Sequence, residues 1–223
     1  ALSLVYRRRR FLALPALPSR PAEPARTVPR DWASTMRFCE DAGVTPAPWR
    51  VLGPKDAAAT TCAGLRYPLV VKVLPGDAEH KTELGLLKLR VATPEAVDAL
   101  ATEFRARMGK LEAGILVQEM VGDGVEVVLS ALRNTDFGPV ISLGTGGVAI
   151  ELYRDVVHLA LPVTRDQVLA ALERLKLWTL LQGFRGKPPA DVQALADAAV
   201  RFGDLFLAAT EVSEFEINPV IVG

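Results

Sequence analysis

The sequence predicts an α+β fold. Segments with helical periodicity and segments with strand character are mixed along the chain, and short glycine-containing turns between strands indicate hairpins rather than strict βαβ units. Half of the 223 residues are apolar and 23% are charged, as in a globular protein with a sizeable core. A chain of this length favours one domain with two lobes.

Each element follows from a local pattern. The apolar run Leu69–Leu74 predicts a buried strand, and Leu86–Val91 predicts a strand that returns beside it. Thr93 before Pro94 predicts the start of a helix that extends to about Met108. The other predicted helices cover residues 31–42, 55–63, 165–177 and 190–209, and the other predicted strands cover 49–52, 114–119, 124–132, 140–143, 148–152 and 214–222, with a hairpin turn at 121–124.

The charge of the chain is uneven, although 26 basic and 26 acidic residues cancel overall. Residues 1–30 hold seven arginines and one acid and are rich in proline. This composition predicts a basic, extended linker or tail before a domain at 31–223, and a linker implies a further domain ahead of it. The remaining 19 basic and 25 acidic residues make the folded part mildly acidic, which argues against a nucleic-acid surface.

The sequence predicts a cytoplasmic protein. No apolar run approaches the roughly 20 residues that a bilayer span requires. Arg8–Arg10 resembles the start of a twin-arginine signal, but Pro15 and Pro18 interrupt the short apolar stretch after it, so we expect no export. Cys39 and Cys62 are the only cysteines and lie in apolar surroundings. We expect buried free thiols, which suit a reducing compartment.

The strand at 69–74 and the loop after it contain three candidates for phosphate chemistry. A lysine on a buried strand is costly unless it meets an anion, so Lys72 indicates either an anion contact or a side chain that faces solvent. His80 and Lys81 place an imidazole and an ammonium side by side in the loop. An imidazole can act as a nucleophile toward phosphorus, although such a pair in isolation is typical of an ordinary surface loop.

Two later segments suit a nucleotide. The strand end at 119–121 offers an apolar slot for a base, and Glu126 offers a carboxylate for a ribose. Each acid taken alone is more typical of a solvated strand edge. In the strand-to-strand loop at 144–147, which reads Gly-Thr-Gly-Gly, glycines let backbone N–H groups approach phosphate oxygens. A tight turn without a ligand is the alternative.

The last predicted strand carries a candidate metal site. Glu216 and Asn218 are two residues apart, so they lie on the same side of the strand. A carboxylate and an amide oxygen are the hard ligands that Mg²⁺ prefers. Pro219 directly after them predicts that this strand lies at a sheet edge.

Taken in order, these segments resemble the ATP-grasp enzymes. They are most similar to the ATP-grasp subunit or domain of the ADP-forming acyl-CoA synthetases, which are relatives of succinyl-CoA synthetase. The resemblance covers roughly residues 31–223 and depends on seven separated motifs that agree in order and approximate spacing. The motifs are Tyr67–Lys72, His80–Glu83, Val117–Met120, Phe137–Val140, Gly144–Gly147, Gly183–Asp191 and Glu216–Pro219.

The resemblance implies an ATP-grasp fold whose two lobes clasp a nucleotide. It implies a reaction in which acyl-CoA, ADP and phosphate give a carboxylic acid, CoA and ATP through a phosphohistidine. ATP or ADP and Mg²⁺ would be the cofactors, and CoA-binding domains or the alpha subunit of the same synthetase would be the partners. By position, the resemblance implies a catalytic His80, a nucleotide site of Lys72, Lys81, Glu119, Met120, Val121, Glu126, Gly144, Gly146 and Gly147, and a metal site of Glu216 and Asn218.

Three departures from the family pattern carry their own expectations. Leu86 stands where a paired glycine is usual, and we expect it to crowd the loop over the phosphates. Leu159 stands where an arginine is common, which is expected to remove a phosphate contact, and its neighbour His158 is interpreted as a plain strand residue. The further strand that brings the family's metal-binding aspartate would come after Gly223. Two alternatives remain: a nucleotide-binding or regulatory module without turnover, and another ATP-grasp carboxylate ligase.

Overall fold

The structure is a computed structural model that describes Pro29 and residues 31–74, 85–108, 114–133, 135–147 and 155–223. Helices and strands are mixed along the chain, which confirms the α+β prediction. The helices are α1 (Trp32–Asp41), α2 (Ala58–Thr61), α3 (Pro94–Met108), α4 (Arg165–Leu172), α5 (Trp178–Leu181) and α6 (Val192–Ala208). The strands are β1 (Trp49–Leu52), β2 (Leu69–Val73), β3 (Leu87–Val91), β4 (Ile115–Glu119), β5 (Val125–Leu132), β6 (Val140–Thr145), β7 (Val156–Ala160) and β8 (Glu214–Val222).

The chain folds into two compact units. The first unit is Pro46–Gly122, and the second combines Asp123–Gly223 with the described residues before Pro46. Each unit contains a four-stranded sheet whose neighbouring strands are all antiparallel. The strand order is β1-β4-β2-β3 in the first unit and β7-β6-β5-β8 in the second.

The core of the first unit lies between its sheet and helices α2 and α3. Leu69, Val71 and Val73 of β2 pack there with Phe104 of α3, and all four are almost fully buried. Burying a side chain of this size stabilises a fold by about 1.5–3 kcal/mol. The alternation of β2 therefore places Lys72 on the face opposite the core, where it is half-buried.

The core of the second unit lies between its sheet and the helices of the same unit. Phe38 of α1, Phe202 of α6 and Phe215 of β8 form an aromatic cluster with ring centroids 4.8–6.2 Å apart. Leu129 and Leu143, from β5 and β6, are fully buried beneath it. One face of the sheet is therefore apolar and covered by helices, which leaves the other face for polar side chains.

Side chains fix the helix ends that the sequence predicts. Asp31 accepts a hydrogen bond from the backbone N–H of Ser34 at 2.7 Å, and the Ser34 hydroxyl accepts the N–H of Asp31 at 3.0 Å. This reciprocal capping box satisfies two N–H groups at the start of α1. Thr93 accepts the N–H of Ala96 at 3.2 Å, as expected of the residue that precedes α3.

The predicted hairpin between β4 and β5 is wrong. These two strands belong to different sheets, because the chain passes from the first unit to the second between Gly122 and Asp123. The Gly-Asp-Gly pattern at 122–124 therefore marks a crossing between units. By contrast, the predicted return of the chain from β2 to an adjacent β3 is confirmed.

The predicted helix at 165–177 is shorter than expected. It ends at Leu172, and a separate short helix starts at Trp178. The backbone N–H groups of Lys176 and Leu177 donate to the carboxylate of Asp155, at 3.1 and 2.8 Å. These two N–H groups therefore donate to a carboxylate distant in the sequence and not to carbonyls of the preceding helical turn.

Three further predictions concern the two thiols, membrane spans, and segments that the structure does not describe. Cys39 and Cys62 are buried and free, as predicted, and burial raises the pKa of the Cys39 thiol to about 11. In the part of the chain that the structure describes, every helix is too short or too polar to cross a membrane. The strand predicted at 148–152 and, apart from Pro29, the linker predicted at 1–30 lie outside the described residues.

Candidate functional site

The exposed face of the second sheet carries the predicted metal ligands. Residues that alternate with the core side chains lie on this face, which we call the polar face. Glu216 and Asn218 are both exposed, whereas Phe215 is buried and Ile217 packs against the core. The prediction that Glu216 and Asn218 lie on the same side of the strand is therefore confirmed. The described polar side chains of this face are Glu126, Ser130, Ser142, His158, Glu214, Glu216 and Asn218.

Asn218 joins the edge strand β8 to the end of β6. Its Oδ1 accepts a hydrogen bond from the backbone N–H of Gly147 at 2.7 Å. The pairing of β8 with β5 shifts between Val127 and Leu129, where β8 contains one extra residue. Such a bulge re-aims a side chain, and here it lies at Asn218 and Pro219. Because Pro219 has no N–H to donate, a bulge on an edge strand is a favourable place for it.

Gly146 and Gly147 pack directly against Glu126. The N–H of Gly146 donates to the carbonyl of Glu126 at 2.9 Å. A Cβ at position 146 would lie 2.6 Å from a backbone carbon of Val127, and a Cβ at 147 would lie 1.8 Å from Glu126 Oε2. Gly147 also has a φ of +63°, in the left-handed region. The fold therefore brings together Asn218, Glu126, which is predicted to bind the ribose, and Gly146 and Gly147, which are predicted to bind phosphates.

Gly144 lies inside β6, where it pairs with Val128 and Val156, and does not form part of a turn. A Cβ there would lie 2.3 Å from the carbonyl oxygen of Asp155. Glycine at this position therefore permits the close approach of the chain at the start of β7. The nucleotide contact predicted for Gly144 remains a prediction.

Asp155 is a positioning residue that the sequence analysis did not single out. Its carbonyl accepts the N–H of Thr145 at 3.0 Å, and its carboxylate accepts the two N–H groups of Lys176 and Leu177. It thus ties the end of β6 to the chain before α5. The sequence signal is weak, because an aspartate before a strand gives no indication of a partner 21 or 22 residues away.

The donor set on β8 fits a magnesium ion. Mg²⁺ is commonly held by one or two protein oxygens together with substrate phosphates and water. Glu216 offers an exposed carboxylate, and Asn218 offers an amide oxygen that Gly147 orients. No group of three or more His, Cys, Asp or Glu side chains converges among the described residues. The described residues of β8 therefore offer two oxygen ligands, and the magnesium site remains a prediction.

Both carboxylate oxygens and the backbone N–H of Glu119, in the first unit, form hydrogen bonds. Its Oε1 accepts the backbone N–H of Arg66 and its Oε2 accepts the Arg66 Nε, both at 2.9 Å. The hydrogen bond from the Arg66 backbone, aided by the side chain and charge of Arg66, holds the pKa of this buried carboxyl below its usual range although burial acts the other way. The N–H of Glu119 donates to the Pro48 carbonyl at 2.9 Å. Its side chain therefore fixes the segment before β2.

Five other predicted site residues belong to the first unit. Lys72 lies half-buried on the face of β2 away from the core, which both of its interpretations allow. Met120 is half-buried and Val121 is 51% exposed. His80 and Lys81 lie outside the described residues.

Both leucines that depart from the family pattern are apolar packing residues. Leu86 is 1% exposed and belongs to the core of the first unit, and its carbonyl accepts the N–H of Val73 at 3.1 Å. Leu159 is partly buried and packs against the core of the second unit. Both side chains are thus directed at cores, and the expectations that Leu86 crowds a phosphate loop and that Leu159 removes a phosphate contact stay predictions.

Comparison with known proteins identifies the class. Residues 25–223 match the family of ATP-grasp domains, and the chain belongs to that family. Within it, the chain matches the beta-type regions of ADP-forming acetyl-CoA synthetases. It is 35% identical over 194 residues to acetate–CoA ligase [ADP-forming] I of Archaeoglobus fulgidus, covering 85% of this chain and 28% of that protein. It is 31% identical over 183 residues to the beta subunit of acetate–CoA ligase [ADP-forming] I of Pyrococcus furiosus, covering 80% of this chain and 79% of that subunit.

A solved structure supports the same fold. It is the dinucleotide forming acetyl-coenzyme A synthetase 1 of Ca. Korarchaeum cryptofilum, with a TM-score of 0.70 and 29% identity over 88% of this chain and 87% of that one. That protein is in complex with coenzyme A and Mg-AMPPCP, and its phosphohistidine segment points towards the nucleotide binding site. The chain spans less than a third of the Archaeoglobus relative and about four-fifths of the Pyrococcus subunit.

Proposed function

We propose that this chain is the nucleotide-binding part of an ADP-forming acyl-CoA synthetase. The full reaction would convert acyl-CoA, ADP and phosphate to a carboxylic acid, CoA and ATP. The observation that carries the proposal is the cluster of Glu126, Gly146, Gly147 and Asn218 on the polar face, with Glu216 on the same face. Similarity to ADP-forming acetate–CoA ligases supports the reaction class.

Each group in the site would have a distinct task. Glu126 would accept hydrogen bonds from the ribose hydroxyls, and Lys72 and Lys81 would neutralise phosphate charge. The backbone around Met120 and Val121 would form the base slot, and the neighbouring Glu119 holds Arg66 through two hydrogen bonds. Glu216 and Asn218 would hold Mg²⁺, which when bound supplies charge neutralisation for phosphoryl transfer.

His80 would carry the phosphoryl group. An imidazole nitrogen would form an N–P bond as the bond between phosphorus and the donor group in a partner domain breaks. A terminal phosphate oxygen of ADP would then attack phosphorus, the N–P bond would break, and the imidazole would regain its free nitrogen as ATP forms. The atoms balance, because each transfer breaks one bond to phosphorus and makes one.

The proposal includes partner domains. The chain matches the ATP-grasp family and spans less than a third of the Archaeoglobus relative. We propose that CoA-binding domains or an alpha subunit supply the acyl-CoA chemistry. A cytoplasmic location belongs to the same proposal, since two buried free thiols suit a reducing compartment.

Reconstitution tests the proposal. The chain is mixed with the partner domains, acetyl-CoA, ADP, phosphate and Mg²⁺, and ATP formation is followed. We expect turnover with the wild-type chain and a loss of at least about 1,000-fold in His80→Ala, as for removal of a covalent nucleophile. Undiminished turnover in His80→Ala would exclude the relay. Nucleotide binding without turnover beside a competent partner would favour the regulatory alternative.

A further inference from the structure

His158 lies on the polar face with a defined neighbour on the next strand. The strand register pairs His158 with Ser142, Ser142 with Ser130, and Ser130 with Glu216. Residues directly opposite each other in a sheet point to the same side. A single polar row therefore crosses all four strands, from Glu216 on β8 to His158 on β7.

Ser142 orients the imidazole ring. Its Oγ lies 2.8 Å from Nδ1 of His158, and the Ser142 side chain is almost buried at 9% exposure. Among the described residues, Nδ1 is the ring atom with a hydrogen-bond partner, while the His158 side chain is exposed. The hydrogen bond thus fixes one ring nitrogen and leaves Nε2 accessible on the polar face.

The surroundings of His158 suit an anion. Neighbouring strands lie about 4.8 Å apart, so the three steps from β7 to β8 separate the backbones of His158 and Glu216 by about 14 Å. The nearer carboxylate, that of Asp155, is engaged by the two backbone N–H groups before α5. Of these two described carboxylates, one is distant and the other is already satisfied, so neither opposes an anion at Nε2.

The position next to Ser142 on β6 is closed by the start of β7. Gly144 lies two residues from Ser142 on the same side, and a Cβ there would lie 2.3 Å from the carbonyl oxygen of Asp155 and 2.7 Å from the side chain of Val156. A ligand of His158 would therefore approach from the solvent side, where the imidazole is exposed.

We propose that His158, oriented by Ser142, binds a phosphoryl oxyanion on the polar face. In the tautomer that we assign, the ring proton is on Nε2 and the Ser142 hydroxyl donates to Nδ1, so that Nε2–H donates to a phosphate oxygen. The inference deepens the proposed function, because it adds a residue to the same nucleotide face. The oxyanion comes either from the nucleotide or from free phosphate, and the experiment separates the two.

The chain's composition makes His158 directly observable. It contains two histidines, so a His80→Ala variant leaves one set of imidazole signals in the ¹H–¹⁵N NMR spectrum and assigns His158. The full 223-residue chain is titrated with inorganic phosphate, with ADP and with adenosine. We expect the His158 Nε2 signal to move with ADP, with phosphate or with both, and to stay unchanged with adenosine. Equal shifts with ADP and adenosine, or no shift with either ADP or phosphate, would overturn the inference.

Variants give an independent measure by calorimetry. His158→Leu removes the donor, and we expect about a tenfold loss of ADP affinity without an equal loss for adenosine, as for one charge-assisted hydrogen bond. His158→Gln keeps a side-chain donor and should retain most of the affinity, while Ser142→Ala should give an intermediate loss. Parallel losses for ADP and adenosine would instead indicate a structural role and overturn the inference.

These results separate this inference from the proposed function. If ADP binds to the wild-type chain while the His158 signal is unmoved by ADP and phosphate, only the inference fails. If the His158 signal responds to phosphate while calorimetry detects no nucleotide binding, the proposed function fails and the oxyanion site stands.

Discussion

The backbone N–H of Gly147 donates a hydrogen bond to Oδ1 of Asn218 over 2.7 Å. This bond joins the glycine segment after β6 to the bulge in β8, although the two residues are 71 positions apart. It also orients the amide oxygen that we propose as a ligand of Mg²⁺. One side chain thus has both a structural and a binding task, and the two can be tested separately.

Replacement of Asn218 should separate metal binding from stability. Asn218→Ala removes the oxygen, so we expect about a tenfold or greater loss of Mg²⁺-dependent nucleotide affinity and about 0.5–1.5 kcal/mol of stability. Asn218→Asp keeps an oxygen acceptor of the same length and should retain both. Calorimetry with and without Mg²⁺, together with urea unfolding, measures the two effects. Identical behaviour of the two variants would contradict a role for the oxygen.

Substitution of Gly147 should be costly for two reasons. Gly147→Ala places a Cβ 1.8 Å from Glu126 Oε2 and forces a residue with a side chain to adopt a φ of +63°. Backbone strain of this kind costs about 1–3 kcal/mol, and the displaced Glu126 should also weaken nucleotide binding. The midpoint of urea unfolding reports the first effect and calorimetry the second.

Gly186→Ala is the matched control for Gly147→Ala. Gly186 also has a positive φ, of +84°, but nothing lies within 4 Å of a Cβ at that position. It should therefore show the backbone cost alone and leave nucleotide affinity unchanged. Equal effects of the two substitutions on affinity would argue against the contact between Gly147 and Glu126.

Truncation of Leu86 should destabilise the first unit. Its side chain is 1% exposed in the core, and removal of a buried leucine to alanine costs about 2–5 kcal/mol. Leu89 lies three residues later and is 53% exposed, so Leu89→Ala should change stability by no more than about 0.5 kcal/mol. Chemical denaturation of both variants compares them. A Leu86→Ala variant as stable as Leu89→Ala would mean that Leu86 does not pack as described.

The carboxylate of Glu119 should contribute stability that depends on pH. Arg66 holds the pKa of the folded Glu119 below its ordinary value of 4.5. A depressed folded-state pKa stabilises the fold above the unfolded-state pKa and loses that contribution as pH falls through the folded-state value. The stability difference between wild type and Glu119→Gln should therefore be largest near neutral pH and shrink below about pH 4.5.

Urea unfolding at a series of pH values measures the Glu119 effect. Glu103→Gln is a useful control, because Glu103 forms an exposed ion pair with Arg107 on α3 and such pairs contribute little. A difference between wild type and Glu119→Gln that stays constant down to pH 3 would refute the ion-pair account. Loss of nucleotide affinity without loss of stability would support the ligand role predicted from the sequence.

Local patterns predicted most of the elements and part of the site. The alternation of residues along the last strand put Glu216 and Asn218 on one side of that strand. The order of the seven motifs predicted the ATP-grasp family, which the comparison confirms. These features need only neighbouring residues, because the period of a strand fixes which side chains share a face.

Other predictions failed because they depended on distant partners. The Gly-Asp-Gly turn after Glu119 was interpreted as a hairpin, but the strands on either side join different sheets. The sequence marks Leu86 and Leu159 only as departures from the family pattern, and the fold shows that each packs against a core. A sequence shows that a leucine replaces glycine or arginine, but it does not show what that side chain meets.

The order of the motifs, the strand periodicity and the family were therefore present in the linear sequence. The hydrogen bond from Gly147 to Asn218, the capture of Glu119 by Arg66 and the pairing of Ser142 with His158 came from the fold alone. Each joins residues on separate elements, and strand register together with a bulge sets their distance. Periodicity decides which side of a strand a residue occupies, while long-range packing decides which residue lies opposite it.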